Sequence, residues 1–381
     1  MSFLVFLIIL GILVIVHEWG HFITAKKLGV KVEQFAVGFG PKIFSKVHDG
    51  TEYRLCAIPL GGYVKMAGDE RQQCEGKPWE FFSKSPGHRA LIVLMGPVVN
   101  FIFAYICLYF VALLGPIDHK KTSENLDSKV PSTIGQVMED SPAQIAGIKA
   151  GDRITKIDST DIKTWYQLQT YISNSKQEKL NVALVRDGKT LAFDVFSKAK
   201  SSNGKTIRVI GVAPEKKDYT PVKEDIVVEP SYGVLGSFAK AAQELKMITL
   251  QTYTAVGEVF VGKRSAKETL TGPVGMYSFV KLALTFFKFG VLVGFSFLFF
   301  LVGMISASLA IFNLFPIVPL DGGHLFFLGV EKLRGRSFSA KIDEWVARVG
   351  FSLMITLAIF IFYIDFDRIG IFEKIFHIFA K

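Results

Sequence analysis

The stretch FLVFLIILGILVIVHEWGHFIT, residues 3–24, decides what kind of fold this chain adopts. Residues 3–16 are apolar apart from Gly11, and with the residues that follow they reach the roughly 20 positions a helix needs to cross a bilayer. The run then carries His17, Glu18 and His21. On a helix, positions i and i+4 share a face, so the two imidazoles can grip one Zn²⁺, with Glu18 placed to take a proton from an attacking water. Such residues are expensive inside a membrane unless they pair, bind a metal or face water, which makes them functional candidates.

Half of the 381 residues are hydrophobic and 35 are Phe, which excludes an ordinary soluble protein. Candidate spans are residues 3–24, 91–114, 291–315 and 351–364. The first lacks a basic leader and a small-residue cleavage site, and cleavage would discard the histidines, so it reads as an anchor rather than a signal peptide. The connections after the first and third spans hold most of the short-loop Lys and Arg, including Lys26, Lys27, Lys31, Arg71, Arg89, Lys332 and Arg334. The positive-inside rule puts those loops in the cytoplasm and the long central segment outside. Basic flanks facing anionic lipid account for the net charge of +10, and no nucleic-acid motif is present, so the bilayer is the expected partner and nucleic acid is not. Cys56 and Cys74 fall in the cytoplasmic loop and Cys107 in a span, so no disulfide framework is expected.

A catalytic zinc site presents three protein ligands and keeps a fourth position open, so the histidine pair is incomplete. The best third ligand is Asp321 in NLFPIVPLDGGH, residues 313–324, although an Asp before Gly also reads as a turn residue. His324 is a rival ligand. Pro316 and Pro319 should break the third span just before Asp321, and a helix opened in this way suits an extended substrate. Asn313 reads either as a hydrogen-bonding group for substrate or as glue between helices.

HEWGH with NLFPIVPLDGG resembles the site-2 protease family of intramembrane zinc metalloproteases. GFGP (38–41), PLGGYV (59–64), GPVVN (96–100) and TGPVG (271–275) resemble segments of its RseP-like bacterial branch, in the family's order. The resemblance implies Zn²⁺ held by His17, His21 and Asp321, Glu18 as the catalytic acid/base, and Asn313 in substrate handling. It also implies substrate contacts from Pro316, Pro319, Gly61, Gly62, Tyr63 and Asn100.

Strand-like residues 52–58 and 62–66 around PLGG suggest a hairpin whose edge could pair with an unwound substrate, and the resemblance makes it a membrane re-entrant β-loop. Residues 132–158, a helix over 164–173, strands 181–186 and 191–196 about Asp187-Gly188, and a strand over 207–212 resemble one bacterial PDZ domain, where the best-known RseP-like proteins have two. Residues 231–261 carry apolar positions every three or four residues, as an amphipathic helix does.

The expected fold is therefore a polytopic α-helical membrane protein with about four transmembrane helices, a cytoplasmic membrane-associated β-loop and an inserted periplasmic α+β PDZ domain. Its parts are 1–25, the first span; 26–90, the cytoplasmic loop; 91–116, the second span; 117–220, the PDZ domain; and 221–288, an interfacial segment. The third span, 289–324, the loop 325–349, the fourth span, 350–366, and a periplasmic tail, 367–381, complete it. The resemblance implies cleavage of single-span membrane proteins, such as an anti-sigma factor or remnant signal peptides, after an upstream site-1 type protease has acted. It places the chain in a bacterial inner membrane with its active site near the cytoplasmic side. The contrasting reading is a non-proteolytic membrane adaptor whose metal is structural; a fourth protein ligand or a replaced Glu18 would favour it.

Overall fold

The computed structural model describes residues 2–72, 74–202, 205–215 and 226–368. Most of the expected tail at 367–381 lies outside them. Two compact units are present, one built from residues 1–116 and 230–381, the other from 117–229.

The membrane unit opens with α1 (Ser2–Lys27), whose buried residues Phe6, Ile9, Leu13, Gly20, His21 and Thr24 share one face of the helix. Strands β1 (Val32–His48) and β2 (Thr51–Met66) follow, then α2 (Pro86–Leu114). Ser85 caps α2 by accepting from the His88 amide, and Pro86 occupies its first turn, where a missing N–H costs nothing.

The β-loop differs from the sequence expectation. Residues 52–58 and 62–66 are one continuous strand, and the reversal falls at Asp49-Gly50, where both residues have positive φ. Their partner is β1, which the sequence reading left unassigned. The first half of β1 is flanked on both sides by β2: Phe35 is paired with Val64 and Tyr53, Ala36 with Tyr63 and Arg54. The apolar alternation of β1 breaks at Gly38, Gly40 and Pro41, which hid it from a period-two reading.

The second unit holds α3 (His119–Lys129), β3 (Ile134–Val137), α4 (Pro142–Ile145), β4 (Arg153–Ile157), β5 (Thr160–Asp161), α5 (Trp165–Asn174), β6 (Lys179–Arg186), β7 (Lys189–Phe196), β8 (Lys198–Ser202), β9 (Lys205–Val209) and β10 (Val212–Pro214). Its main sheet has the order β5-β4-β6-β7, while β10 pairs with β3 and β8 with β9. The core is aliphatic, with Ile134, Ile154, Ile157, Leu180, Val182, Leu184 and Val195 fully buried. Helices α3 and α4 were not foreseen.

The membrane unit resumes with α6 (Gly233–Phe260), α7 (Ala266–Thr269), α8 (Pro273–Thr285), α9 (Val291–Asn313), α10 (Asp321–Arg334) and α11 (Ala340–Arg368). Helices α1, α2, α9 and α11 are long and apolar enough to cross a membrane. Two expected spans change their limits. The third ends at Asn313 rather than continuing to 324, because Pro316 and Pro319 remove helical donors, and a new helix begins at Asp321. The fourth belongs to a helix that begins at Ala340, ahead of the expected 350.

Polar groups and glycines join these helices. Ser306 donates to the Asn100 carbonyl (2.8 Å) and Ser296 to the Gly115 carbonyl (3.0 Å), tying α9 to α2. Asp365 of α11 accepts from the amides of Gly272, Val274 and Gly275, which caps α8 and gives the TGPVG segment a structural role. Residues 221–288, expected to be interfacial, contain α6 packed on α2 and α9, with the Tyr105 hydroxyl donating to the Phe238 carbonyl.

Candidate metal centre

The helical repeat of α1 brings His17 and His21 together, with Nε2 to Nε2 at 3.2 Å. Asp321, the first residue of α10, completes a triangle: Oδ2 lies 3.1 Å from His17 Nε2 and Oδ1 lies 3.6 Å from His21 Nε2. Ligands bonded tetrahedrally to zinc at about 2.0–2.1 Å stand about 3.3 Å apart, which is the spacing found here. Asp321 Oδ2 is buried and accepts no hydrogen bond, as expected of an oxygen meant for a cation. Among the described residues no fourth His, Cys, Asp or Glu joins the group. The donor set therefore fits zinc with a position left open for water or substrate.

Helix α2 supplies the surroundings. His21 Nδ1 lies 2.9 Å from the Ile92 carbonyl; donating its proton there leaves the Nε2 lone pair for the metal. His17 Nδ1 faces the Asn100 amide, with Nδ2 at 3.3 Å and Oδ1 buried without a partner. Turning that amide over makes Oδ1 the acceptor for His17 Nδ1–H and frees the second Nε2 in the same way. Gly96 makes room: a Cβ there would stand 2.3 Å from His21 Nε2 and 2.9 Å from His17 Cε1. At Gly20 a Cβ would meet the Met95 carbonyl oxygen at 2.2 Å, so this glycine lets α1 and α2 come together beside the histidines.

Asp321 is placed by the two glycines that follow it. The segment between α9 and α10 folds back over them, so a Cβ at Gly322 would strike the Leu314 carbonyl oxygen at 2.2 Å and one at Gly323 the Val318 amide at 2.4 Å. Glu18 is half-buried beside β2, where a Cβ on Gly62 would lie 3.7 Å from its Cγ. The strand at 62–66 thus runs past the acid/base candidate.

The other expected site residues divide. Asn313 is half-buried at the end of α9, and Pro316 and Pro319 are exposed in the segment before Asp321. Gly61 has φ +118°, and a Cβ there would enter the Phe39 ring, which also stacks on Tyr63. The Tyr63 hydroxyl donates to Gln34 Oε1 at 3.1 Å. Asn100, expected to contact substrate, is fully buried against His17. His324, the rival ligand, stays outside the triangle and lines a separate cavity of about 470 Å³ with Arg71, Arg89, Glu331 and Asp343. Sequence reasoning missed the Ile92 carbonyl, since a backbone oxygen leaves no signature, and the space at Gly96, which was seen only as part of a motif.

Residues 5–357 match the family described as Peptidase family M50. The chain is 27% identical to the regulator of sigma-E protease RseP of Escherichia coli K12, covering 96% of this chain and 98% of that one. It is 29% identical to the regulator of sigma E protease of Haemophilus influenzae, with coverage of 96% and 98%. A Clostridium acetobutylicum protein named for zinc metalloprotease activity is 33% identical over 92% of each chain. The Escherichia coli alignment runs to 452 positions against 381 residues here, so that relative holds segments with no counterpart in this chain.

Proposed function

Because the chain belongs to peptidase family M50 and is a zinc metalloprotease, we propose that it hydrolyses a peptide bond within or beside a membrane-spanning segment of another protein. The observation that carries this reading is the triangle of His17, His21 and Asp321 with Glu18 next to it, its two histidines on a helix long and apolar enough to cross a bilayer. When bound, zinc supplies Lewis-acid polarisation of the scissile carbonyl and acidification of water. Glu18 takes the proton of the attacking water and returns it to the leaving amine. Ile92 and Asn100 orient the imidazoles, which makes Asn100 a positioning residue rather than a substrate contact. The edge of β2 at Gly61, Gly62 and Tyr63 holds the unwound substrate by strand addition, with Asn313 at the end of α9 and Pro316 and Pro319 in the segment beyond it as further contacts.

The substrates in this reading are single-span membrane proteins, an anti-sigma factor or remnant signal peptides, already trimmed by a site-1 type protease. The similarity to proteins named as regulators of sigma-E agrees with regulated proteolysis. The second unit is a periplasmic PDZ domain that filters substrates. The basic loops face the cytoplasm of a bacterial cell, and the active site lies near that side of the inner membrane. The adaptor alternative calls for a closed metal site, and the three-ligand set argues against it.

The deciding comparison uses a tagged single-span substrate in liposomes, with wild type and Glu18→Gln, and bound zinc measured in both. Wild type should cut within the span, while Glu18→Gln keeps its zinc and loses about 10²–10⁴-fold in rate. Equal rates would remove Glu18 from the chemistry.

A further inference from the structure

Asp321 cannot inherit its position from the third span. Helix α9 stops at Asn313, and the segment carrying Pro316 and Pro319 separates it from α10. The placement of the third ligand therefore depends on how α10 itself is docked. The buried face of α10 consists of Gly322, Gly323, Leu328 and Glu331, with Leu328 its one large apolar side chain. Gly322 and Gly323 seat the near end of the helix, while Leu328 and the half-buried Leu325, Phe327 and Val330 leave the tilt of its far end to be fixed. Glu331, 5% exposed, defines it well.

Arg89 of α2, 3% exposed, donates from Nη2 to Glu331 Oε1 at 2.5 Å and from Nη1 to Oε2 at 3.3 Å. This is the forked geometry that fixes direction as well as distance. Arg71 donates to Oε2 at 2.9 Å and also pairs with Asp343 of α11, while the Ser337 hydroxyl donates to Oε1 at 3.2 Å. Phe82 backs both guanidinium groups, 4.3 Å from Arg71 and 5.3 Å from Arg89. Burial pushes the Glu331 carboxyl up, but the hydrogen bond and charge of Arg89, with Arg71, outweigh it and hold the group below the usual carboxylate range.

The layout along α2 links this cluster to the metal centre. Arg89 grips the far end of α10, Ile92 holds His21, Gly96 makes room for both imidazoles and Asn100 faces His17. Glu331 and Asp321 are ten positions apart on α10, about 15 Å along a rigid helix. Arg89 and Glu331 thus clamp the helix that orients two ligands to the helix that carries the third. We propose that Glu331, held by Arg89, is a positioning residue for the zinc site, setting the tilt of α10 that brings Asp321 to ligand distance from the histidines. This rests on His17, His21 and Asp321 being the zinc ligands.

The test uses the full chain in detergent, loaded with zinc and separately with cobalt, as wild type, Glu331→Gln and Arg89→Lys. The readouts are the rate of zinc loss to a chelator and the cobalt ligand-field absorption. Glu331→Gln should lose zinc at least tenfold faster and weaken the tetrahedral cobalt bands. Arg89→Lys, which keeps the charge but not the fork, should fall between it and wild type. Zinc loss within twofold of wild type, with unchanged cobalt bands, overturns the proposal even if the variants melt earlier, because a merely structural clamp would move only the melting. If Glu331→Gln is not recovered folded, Arg89→Lys decides by the same criterion. A wild type that binds neither metal removes the ligand reading itself, an outcome distinct from failure of the clamp.

Discussion

Both units bury aliphatic side chains, but they differ in the polar groups they bury beside them and in the apolar surface they expose. In residues 117–229 the interior is Ile154, Ile157, Leu180, Val182 and Leu184, all at 0% exposure. In the membrane unit Asn100 and Ser306 are as fully buried, while Leu353, Ile355, Leu357 and Ile359 of α11 lie exposed. The difference is one of solvent. Water drives aliphatic surface inward at about 25 cal/mol per Å², whereas lipid gives apolar side chains no reason to prefer the interior. A membrane interior is then free to be built from small residues and hydrogen-bonded polar groups. That is the setting in which two histidines and an aspartate can share a core with glycines.

The sharpest way to break this comparison is at Gly96. If small residues in the membrane unit serve only close packing, Gly96→Ala should cost stability and leave the metal alone. The Cβ would instead stand 2.3 Å from His21 Nε2, so the imidazole must leave its place. The expected result is about a 100-fold loss of zinc affinity, the top of the range for disturbed ligand orientation. Cleavage should fall with it. Gly11→Ala on α1, where a Cβ meets nothing within 4 Å, is the control and should keep full zinc occupancy, measured by elemental analysis.

A second experiment makes the same deletion in both solvents. Leu180→Ala, in the aliphatic core, should cost about 2–5 kcal/mol, seen as faster amide exchange confined to residues 117–229, with zinc content unchanged. Leu357→Ala, on the exposed apolar face of α11, should change exchange in its own unit by less than about 0.5 kcal/mol. Equal effects would mean that α11 presents that face to protein rather than lipid.

What the sequence revealed follows the same division. Helix α1 and the three other long apolar helices could be read because hydrophobic length and an i, i+4 pair are local signals. Pro316 and Pro319 announced the end of α9 for the same reason. The second unit yielded several of its strands through alternation and the Asp187-Gly188 turn. The register of β1 with β2 could not be read because the apolar alternation of β1 breaks at Gly38, Gly40 and Pro41, so the Asp49-Gly50 turn, though a strong hairpin signal, had only one recognisable strand beside it. Asp321 alone read equally well as a turn residue, and only folding brings it to His17. The contacts of Asn100 with His17 and of Arg89 with Glu331 cross 83 and 242 residues, beyond the reach of any local pattern.

An effect smaller than that of Leu180→Ala is expected at the one fully buried charge among the described residues of the second unit. Asp152, at 0% exposure, accepts from Arg186 Nε (2.6 Å) and Nη2 (2.7 Å) and from the Lys149 amide (2.8 Å). Burial alone would raise its carboxyl, but the Arg186 and Lys149 hydrogen bonds prevail and hold it below the usual range. A depressed folded value means that the unfolded chain binds the proton more readily. The stabilisation is therefore complete above the unfolded value of about 3.9 and is lost as pH falls through the folded one. Asp152→Asn should cost about 1.5–3 kcal/mol at pH 7, the worth of hydrogen bonds to a charged group. That gap to wild type should persist at pH 5 and narrow only below about pH 4, as wild type itself becomes protonated. Amide exchange of residues 117–229 at pH 7, 5 and 3.5 measures this, and a gap that closes already between pH 7 and 5 would assign the loss to another group. Such a result would also end the contrast between the units, because the second would then hold a titrating polar core of its own.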